Sequence, residues 1–156
     1  MAQAILTSSP IGPILLHAEG ERLTSIHIGA GGDAESDDHP VLREALAQLS
    51  AWFAGKLTGF DLPLAEPETP RGAAHRQAIA DIPYADTASY GAIARMIGSS
   101  PRAVGQACRR NPFPIVIPCH RVIGVGGAIG HYSGGAGVAT KLWLLRHEQD
   151  FVRLKG

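Results

Sequence analysis

Residues 89–110 read SYGAIARMIGSSPRAVGQACRR and predict two short helices joined by a tight turn. Ser89 has the side chain of a helix N-cap, and the apolar residues after it recur at helical spacing up to Gly98, a common helix terminator. Pro101 suits the first position of a second helix, which would run to about Arg110. Two helices with a glycine-containing turn form the helix-turn-helix pattern, which therefore defines the second half of the chain.

The second of these helices combines small residues in its middle with arginines at its ends. Small side chains let a helix backbone approach its partner closely, as the narrow minor groove of DNA requires, and arginines suit phosphates. An arginine at the start of such a helix can also fill the gap left by an extruded base. A core helix packed through its small residues remains the alternative. The residues concerned are Arg102, Ala103, Gly105, Ala107, Arg109 and Arg110.

Charge is distributed unevenly along the 156 residues, although the net charge is zero. The first 70 residues carry three basic and ten acidic side chains, a net charge of −7. Residues 71–156 carry eleven basic and four acidic side chains, a net charge of +7. Such asymmetry predicts an acidic lobe and a basic lobe that meets a polyanion, and the helix-turn-helix makes DNA the favoured polyanion.

A thiol and an imidazole stand side by side in the segment Ile117-Pro118-Cys119-His120-Arg121-Val122. The thiolate is the nucleophile of cysteine chemistry, and a neighbouring base is one way of forming it near neutral pH. Only Cys108 and Cys119 occur in the chain, which excludes a disulfide framework and favours a compartment that keeps thiols reduced. The Cys-His pair alone is compatible with a structural role as well as a catalytic one.

Composition predicts a globular protein that lies outside the membrane. Hydrophobic residues make up 45% of the chain and charged residues 18%. No run approaches the roughly 18 apolar residues that span a bilayer, and the first residues lack the basic segment of a secretory signal. We therefore expect a cytoplasmic protein, or a nuclear one in a eukaryote.

The first 65 residues predict a small antiparallel sheet followed by one helix. Short β-prone runs cover residues 4–7, 14–18 and 23–28, and a helix with one apolar face runs from Pro40 to about Gly55. Residues 59–72 have the prolines and glycines of an irregular connector, after which helices are predicted over 75–81 and 141–150. The fold class is therefore α/β (α+β), with domains at 1–65 and 73–156, and the second domain is mostly helical.

From Ile82 to Glu148 the chain resembles the O6-alkylguanine-DNA alkyltransferases, also called methylated-DNA–protein-cysteine methyltransferases. Several separate motifs occur in the order of that family, and the sheet-and-helix lobe before them fits its N-terminal domain. The matching residues are Ile82-Pro83, Ser89-Tyr90-Gly91, Arg102-Ala103-Val104-Gly105, Asn111-Pro112, Ile117–Val122, Tyr132-Ser133-Gly134-Gly135 and Leu144-Leu145-Arg146-His147-Glu148.

The resemblance implies five residues for the chemistry. Cys119 would accept the alkyl group, His120 would act as its base through a bridging water, and Glu148 would orient His120. Tyr90 would contact the phosphate that rotates as the base leaves the duplex, and it would donate a proton to the guanine. Asn111 would tie the recognition helix to the active-site segment.

A substrate pocket and a DNA surface are also implied by the resemblance. The main chain at Cys119 and Val122 would accept from the exocyclic amine of the guanine. An arginine at the start of the recognition helix would replace the flipped nucleotide. The implied pocket residues are Tyr132, Ser133, Pro114 and Val122, and the implied DNA-binding residues are Arg102, Ala103, Gly105 and Arg109.

The implied activity is the direct reversal of DNA alkylation. After base flipping, the alkyl group of O6-alkylguanine would move irreversibly to Cys119, and O4-alkylthymine is a second substrate left open. A thioether has no easy hydrolytic exit, so each molecule would react once, with no metal or organic cofactor. The partner would be double-stranded DNA that carries the lesion, bound by a monomer, and clustering along DNA is left open.

Two rival functions remain. A non-catalytic sensor of alkylated bases would share the DNA-binding elements, but it would have no need of Cys119. A thiol hydrolase built on Cys119, His120 and Asn111 would turn over repeatedly, and it would leave the helix-turn-helix and the basic lobe unexplained.

The chain departs from the family pattern near the turn of the helix-turn-helix. Only three residues separate Gly98 from Arg102, about two fewer than the family pattern has. His75-Arg76 replaces an apolar pair in the preceding helix, and His131 stands where asparagine or glycine is common. We expect the short turn to alter DNA affinity more than reactivity.

Overall fold

Two units make up the structure, a computed structural model that describes residues 2–6, 9–29 and 38–155, with side chains as far as residue 152. The units are Met1–Ala65 and Glu66–Gly156. Within the described residues, no helix is both long enough and apolar enough to cross a membrane.

The first unit is a three-stranded antiparallel sheet covered by one helix. Its elements pair or pack in sequence order and are β1 (Ala2–Leu6), β2 (Ile14–Glu19), β3 (Arg22–Ile28) and α1 (Pro40–Phe53). Alternate residues of β1 and β2 are buried because a strand points successive side chains to opposite faces, and a β-bulge in the pairing of β2 with β3 interrupts the alternation in β3. Pro40 begins α1 as predicted, and the apolar face of the helix, with Trp52 fully buried, completes the core. The predicted strand residue Thr7 lies outside the described residues.

The second unit is mostly helical. Its helices and strands are α2 (Pro70–Ala80), β4 (Ala88–Ser89), α3 (Tyr90–Ile97), α4 (Pro101–Arg109), β5 (Val122–Ile123) and α5 (Val138–Lys155). A short 3-10 turn over Cys119–Arg121 immediately precedes β5. Helices α2, α3 and α4 pack against one another, so the helix-turn-helix is supported by the helix before it.

The helix-turn-helix forms over the residues that predict it. The hydroxyl of Ser89 accepts the N–H of Ala92 at 3.0 Å and caps α3. Gly98 ends that helix in the left-handed region, with φ of 64°, where a residue without Cβ is at no disadvantage. The hydroxyl of Ser100 then accepts the N–H of Ala103 at 3.1 Å and caps α4. Local capping chemistry therefore fixes both helix boundaries at the turn.

Helix α2 begins at Pro70, whereas the sequence predicts a connector up to residue 72 and a helix only from residue 75. The hydroxyl of Thr69 accepts the N–H of Gly72 at 3.0 Å, and Pro70 takes the first helical position, where a missing N–H costs nothing. The proline and glycine that suggest a connector therefore lie in a capped first turn. Helix α5 likewise extends beyond the predicted 141–150 at both ends.

A two-residue parallel ladder joins the start of α3 to the segment that follows Cys119. Ala88 pairs with Val122 and Ser89 pairs with Ile123. Because Tyr90 is the first residue of α3, the ladder brings Tyr90 close to the chain that carries Cys119. The sequence does not predict this pairing, since two residues carry no strand periodicity.

Candidate active site

Cys119 is a buried thiol at the first position of the 3-10 turn, with 6% of its surface exposed. Its N–H donates to the carbonyl of Ile117 at 2.8 Å, which curls the backbone back on itself after Pro118. The Nδ2 group of Asn111 donates to Sγ at 3.3 Å. The backbone and a neighbouring amide thus hold the sulfur in one place.

Asn111 connects the end of α4 to the thiol segment. Its Nδ2 group also donates to the carbonyl of Ile117 at 2.9 Å, and its Oδ1 accepts the N–H of Phe113 at 3.0 Å. One side-chain amide therefore fastens the loop after α4 to the turn that carries Cys119. The functional role of Asn111 as the link between the recognition helix and the active-site segment stays a prediction.

His120 and Glu148 form a hydrogen-bonded pair whose side chains are both 0% exposed, with Nε2 and Oε2 at 2.7 Å. Glu148 can only accept when it is ionised, so Nε2 carries the proton and Nδ1 presents a lone pair. Burial lowers the pKa of His120, an effect that Glu148 opposes. The ring is therefore neutral at physiological pH, which is the state that a general base requires.

Glu148 is also held by Arg121, which the sequence singles out only as part of a motif. The Nε group of Arg121 donates to both carboxylate oxygens at 3.0 and 3.1 Å, and its Nη2 group donates to Oε2 at 2.8 Å. The N–H of Ala85 donates to Oε1 at 3.0 Å. Burial alone would raise the pKa of Glu148, but the hydrogen bonds from His120 and Arg121 hold it at about 2. The carboxylate therefore remains ionised although it is buried.

Stability should fall at acid pH because of this pair. The pKa of Glu148 lies below its ordinary 4.5, so its contribution is fully present above about pH 4.5 and is lost as the pH falls towards 2. A shift of this size corresponds to about 3 kcal/mol. The lowered pKa of His120 acts in the same direction below its ordinary 6.5. Urea unfolding between pH 7 and 3 measures the effect, and a free energy of unfolding that stays constant over this range would contradict it.

Burial raises the pKa of the Cys119 thiol, although Asn111 and Lys141 lower it in part. The thiol is therefore protonated at rest, and nucleophilic chemistry at this sulfur needs a base to take the proton. Burial also raises the pKa of Cys108, to about 12, so the second cysteine of the chain is a poor nucleophile.

A cavity of about 300 Å³ opens beside Cys119. One wall is a face of α4, because lining positions 101, 105, 108 and 109 lie on one side of a helix. Residues 131–133, in the loop that precedes α5, also line the cavity. The lining residues are Tyr90, Pro101, Gly105, Cys108, Arg109, Cys119, His131, Tyr132 and Ser133.

Some of the predicted site residues line this cavity and others do not. Those that line it are Tyr90, Gly105, Arg109, Cys119, Tyr132 and Ser133. Pro114 is buried between two buried apolar residues, and neither Pro114 nor Val122 is among the residues of the cavity wall. Arg102 is exposed in the first turn of α4, and Ala103 beside it is partly exposed.

Tyr132 presents a buried hydroxyl at the cavity. The residue is 6% exposed, and its hydroxyl has no hydrogen-bond partner among the described residues. Burial raises the pKa of Tyr132 well above 10, so the hydroxyl keeps its proton. A buried hydroxyl of this kind is costly to leave unsatisfied, which favours a polar ligand in the cavity.

Lys141 is a site residue that the sequence does not reveal. Its side chain is buried, and Nζ donates to the carbonyl of Val122 at 2.6 Å and to that of His131 at 3.3 Å. Nζ also lies 5.8 Å from the centroid of the Tyr90 ring. The charge therefore lies among the predicted site residues, and the one available signal is its position in the apolar stretch of α5. Among the described residues, no three His, Cys, Asp or Glu side chains gather as a possible metal site.

Gly130 lets the loop before Tyr132 approach Tyr90. A Cβ at this position would lie 3.0 Å from the Tyr90 hydroxyl and 3.2 Å from its ring, and φ is +78°. Any larger residue would therefore have a strained backbone and would crowd the side chain of Tyr90.

Two family models match the chain. The model for the 6-O-methylguanine DNA methyltransferase, DNA binding domain covers residues 73–150. The model for the 6-O-methylguanine DNA methyltransferase, ribonuclease-like domain covers residues 4–65.

Individual relatives agree with these models. The methylated-DNA–protein-cysteine methyltransferase of Methanosarcina acetivorans is 41% identical over 148 residues, which is 90% of this chain and 94% of the relative. The constitutive enzyme of that name from Bacillus subtilis is 37% identical over 152 residues, 90% of this chain and 92% of the relative. The crystal structure of Mycobacterium tuberculosis OGT in complex with DNA superposes with a TM-score of 0.83 at 37% identity, covering 97% of this chain and 94% of that one.

The chain belongs to the 6-O-methylguanine DNA methyltransferase family. The predicted family, the α/β fold class and the enzyme class, a methylated-DNA–protein-cysteine methyltransferase, are confirmed. The broad prediction of DNA repair by alkyl transfer is confirmed at the same level.

Proposed function

We propose that this protein removes the alkyl group from O6-alkylguanine in double-stranded DNA and keeps it on Cys119 after one irreversible turnover. The observation that carries the proposal is the set of buried side chains Cys119, His120 and Glu148, with Asn111 bound to the sulfur, beside a cavity that is lined by Tyr90, Tyr132 and Ser133. The structure of the Mycobacterium tuberculosis relative in complex with DNA supports DNA as the partner.

The chemistry begins with the thiol proton. It passes through a bridging water to Nδ1 of His120, and Glu148 stabilises the imidazolium that forms. The Cys119 sulfur then attacks the alkyl carbon, a C–S bond forms, and the bond between that carbon and guanine O6 breaks. The electron pair of the broken bond remains with the guanine, which takes a proton from Tyr90. His120 and Tyr90 afterwards recover their resting states through solvent.

Charges around the cavity favour this direction of proton and electron flow. Burial and the neighbouring Cys108 and Cys119 raise the pKa of Tyr90, so the phenol is protonated at rest, and Arg109 opposes this shift and therefore favours donation of the proton to the departing guanine. Lys141 lowers the pKa of Cys119 and therefore favours its thiolate. No step regenerates the thiol from the thioether, so one protein molecule repairs one lesion.

The substrate must leave the duplex to reach Cys119. The thiol is buried at the cavity, whereas the target carbon of a paired base lies inside the stacked helix, so the nucleotide flips into the cavity. Helix α4 enters the minor groove with Ala103 and Gly105 facing the DNA, Arg109 binds phosphate, and Arg102 fills the gap that the base leaves. The same base flipping and alkyl transfer apply to O4-alkylthymine.

Within the cavity, Tyr132 and Ser133 contact the flipped base. The buried Tyr132 hydroxyl gains a partner when a polar base enters. The carbonyl of Cys119 accepts from the exocyclic amine. The carbonyl of Val122 does so too once the base has entered, although Val122 is not among the residues of the cavity wall and its carbonyl also binds Lys141. The protein acts as a cytoplasmic monomer, with domains at 1–65 and 73–156.

The mass of the Cys119 peptide tests the proposal. After incubation with a duplex that contains O6-methylguanine, we expect one methyl group per protein molecule on Cys119, and the repaired duplex should not exceed the protein in amount. The peptide that carries Cys108 serves as the internal control and should keep its mass. Tight lesion binding without a change in mass would instead identify a damage sensor, and repeated cleavage of a small ester would identify a thiol hydrolase.

A further inference from the structure

We propose that His75 is a positioning residue for DNA binding, which holds the turn between α3 and α4 through Ser99 and thereby sets the direction of α4. The inference rests on the proposed function, since it takes α4 to be the helix that enters DNA. It concerns a residue of α2 that lies outside the cavity wall and outside the hydrogen bonds around Cys119.

The contacts of His75 reach from α2 to the turn. Its Nε2 lies 2.8 Å from the hydroxyl of Ser99, and its Nδ1 lies 2.9 Å from the carbonyl of Arg71. A carbonyl only accepts, so Nδ1 carries a proton and donates to Arg71, while Nε2 forms the hydrogen bond with the Ser99 hydroxyl. The residue is 7% exposed, so this hydrogen bond is largely shielded from competing water. His75 therefore anchors the turn to the helix beneath it.

The turn is short enough for one anchor to fix it. Gly98 has a left-handed conformation, the N–H of Ser99 donates to the carbonyl of Ala94 at 2.8 Å, and Ser100 already caps α4. Because the Ser100 hydroxyl is used as the cap of α4, the Ser99 hydroxyl is the side-chain group of the turn that can bind another helix. It binds His75 of α2. Two departures from the family pattern, the short turn and the polar residue at position 75, meet in a single hydrogen bond.

Loss of this bond should affect the two ends of α4 unequally. The far end is fastened independently, because Asn111 binds both Phe113 and the Cys119 segment. The near end, which carries Arg102, depends on the turn. A change at His75 should thus move the DNA-facing start of α4 while the sulfur and its base stay in place.

Two substrates separate these effects. The first is a duplex that contains O6-methylguanine, which needs both the helix-turn-helix and the cavity. The second is free O6-benzylguanine, whose benzylic carbon is reactive towards thiolates and which needs only the cavity. For His75→Ala and for Ser99→Ala we expect duplex affinity to fall about tenfold, the scale of one buried hydrogen bond. The rate with the free base should change by less than about threefold on the same scale.

A double-mutant cycle completes the test. His75→Ala combined with Ser99→Ala should bind DNA no more weakly than either single variant, because both remove the same bond. Ser99→Thr keeps the hydroxyl and should restore affinity. Additive losses, an equal fall in the free-base rate, or unchanged duplex affinity would each overturn the proposal.

The outcome is separable from that of the proposed function. Failure of the wild-type protein to methylate Cys119 would refute alkyl transfer, yet the effect of His75 on affinity for undamaged duplex could still be measured. Unfolding of His75→Ala would leave Ser99→Ala, which alters a turn residue, to decide the matter.

Discussion

Replacement of Cys119 by serine should abolish methyl transfer while the protein still binds a duplex that contains O6-methylguanine. An alcohol is a much weaker acid than a thiol, so the neighbouring His120 cannot generate the oxyanion, and neutral oxygen is a poor nucleophile. We expect the single-turnover rate to fall by at least about 10⁴-fold, the scale seen when the nucleophile of a catalytic triad is removed. Binding should persist because the residues of α4 that we propose to contact DNA are unaltered.

Quench-flow measurement of methyl loss from the duplex, paired with fluorescence anisotropy for binding, checks both halves of this expectation. Cys108→Ser is the matched control, since it removes the other thiol of the cavity and should still yield a methyl group on Cys119. Transfer that survives in Cys119→Ser, or that moves to Cys108, would contradict the assignment of the nucleophile.

Exchange of Glu148 for glutamine should reduce both the transfer rate and the stability. The buried carboxylate accepts hydrogen bonds from His120, Arg121 and Ala85. Glutamine offers one acceptor oxygen and adds an N–H group that faces these donors, so a buried guanidinium loses its counter-charge. Breaking a buried ion pair in this way costs about 3–5 kcal/mol. Loss of the oriented base should slow transfer by about 10²–10⁴-fold.

Urea unfolding and single-turnover kinetics on Glu148→Gln give the two values. Asp150→Asn is a suitable control, because it removes an exposed acid from the same helix and should change stability by less than about 0.5 kcal/mol. The variant Glu148→Gln should also lose most of the acid dependence of stability below pH 4.5. A transfer rate equal to that of the wild type would show that His120 needs no carboxylate partner.

The sequence predicts those features whose causes are local. Ser89, Gly98 and Pro101 act within one helical turn of their own positions, so the helix-turn-helix can be predicted from its caps. The pairing of His120 with Glu148 joins residues far apart in the chain, and only the family resemblance predicts it. Arg121 completes this pair through contacts that no motif specifies, because motifs record residue types and not their partners.

Two further differences between the sequence-based prediction and the structure have physical causes. Pro70 and Gly72 are ambiguous between a connector and a first helical turn, and the Thr69 cap decides in favour of the helix. Lys141 resembles an ordinary charged position of an amphipathic helix, but the carbonyls of Val122 and His131 compensate its burial. Such compensation depends on backbone groups that the tertiary fold brings together. Sequence periodicity does not predict which backbone groups these are.

The parallel ladder between β4 and β5 pairs the two ends of the chain segment that contains the helix-turn-helix. This segment therefore begins and ends at the same place in the fold. Its two ends, Ala88–Ser89 and Val122–Ile123, are paired through their backbones, and Cys119 lies just before the second of these ends. A deletion or insertion within this segment changes how far its helices extend towards DNA but does not separate its paired ends. The DNA-binding surface of this segment can therefore differ among relatives, or be altered by mutagenesis, while the Cys119 sulfur keeps its position.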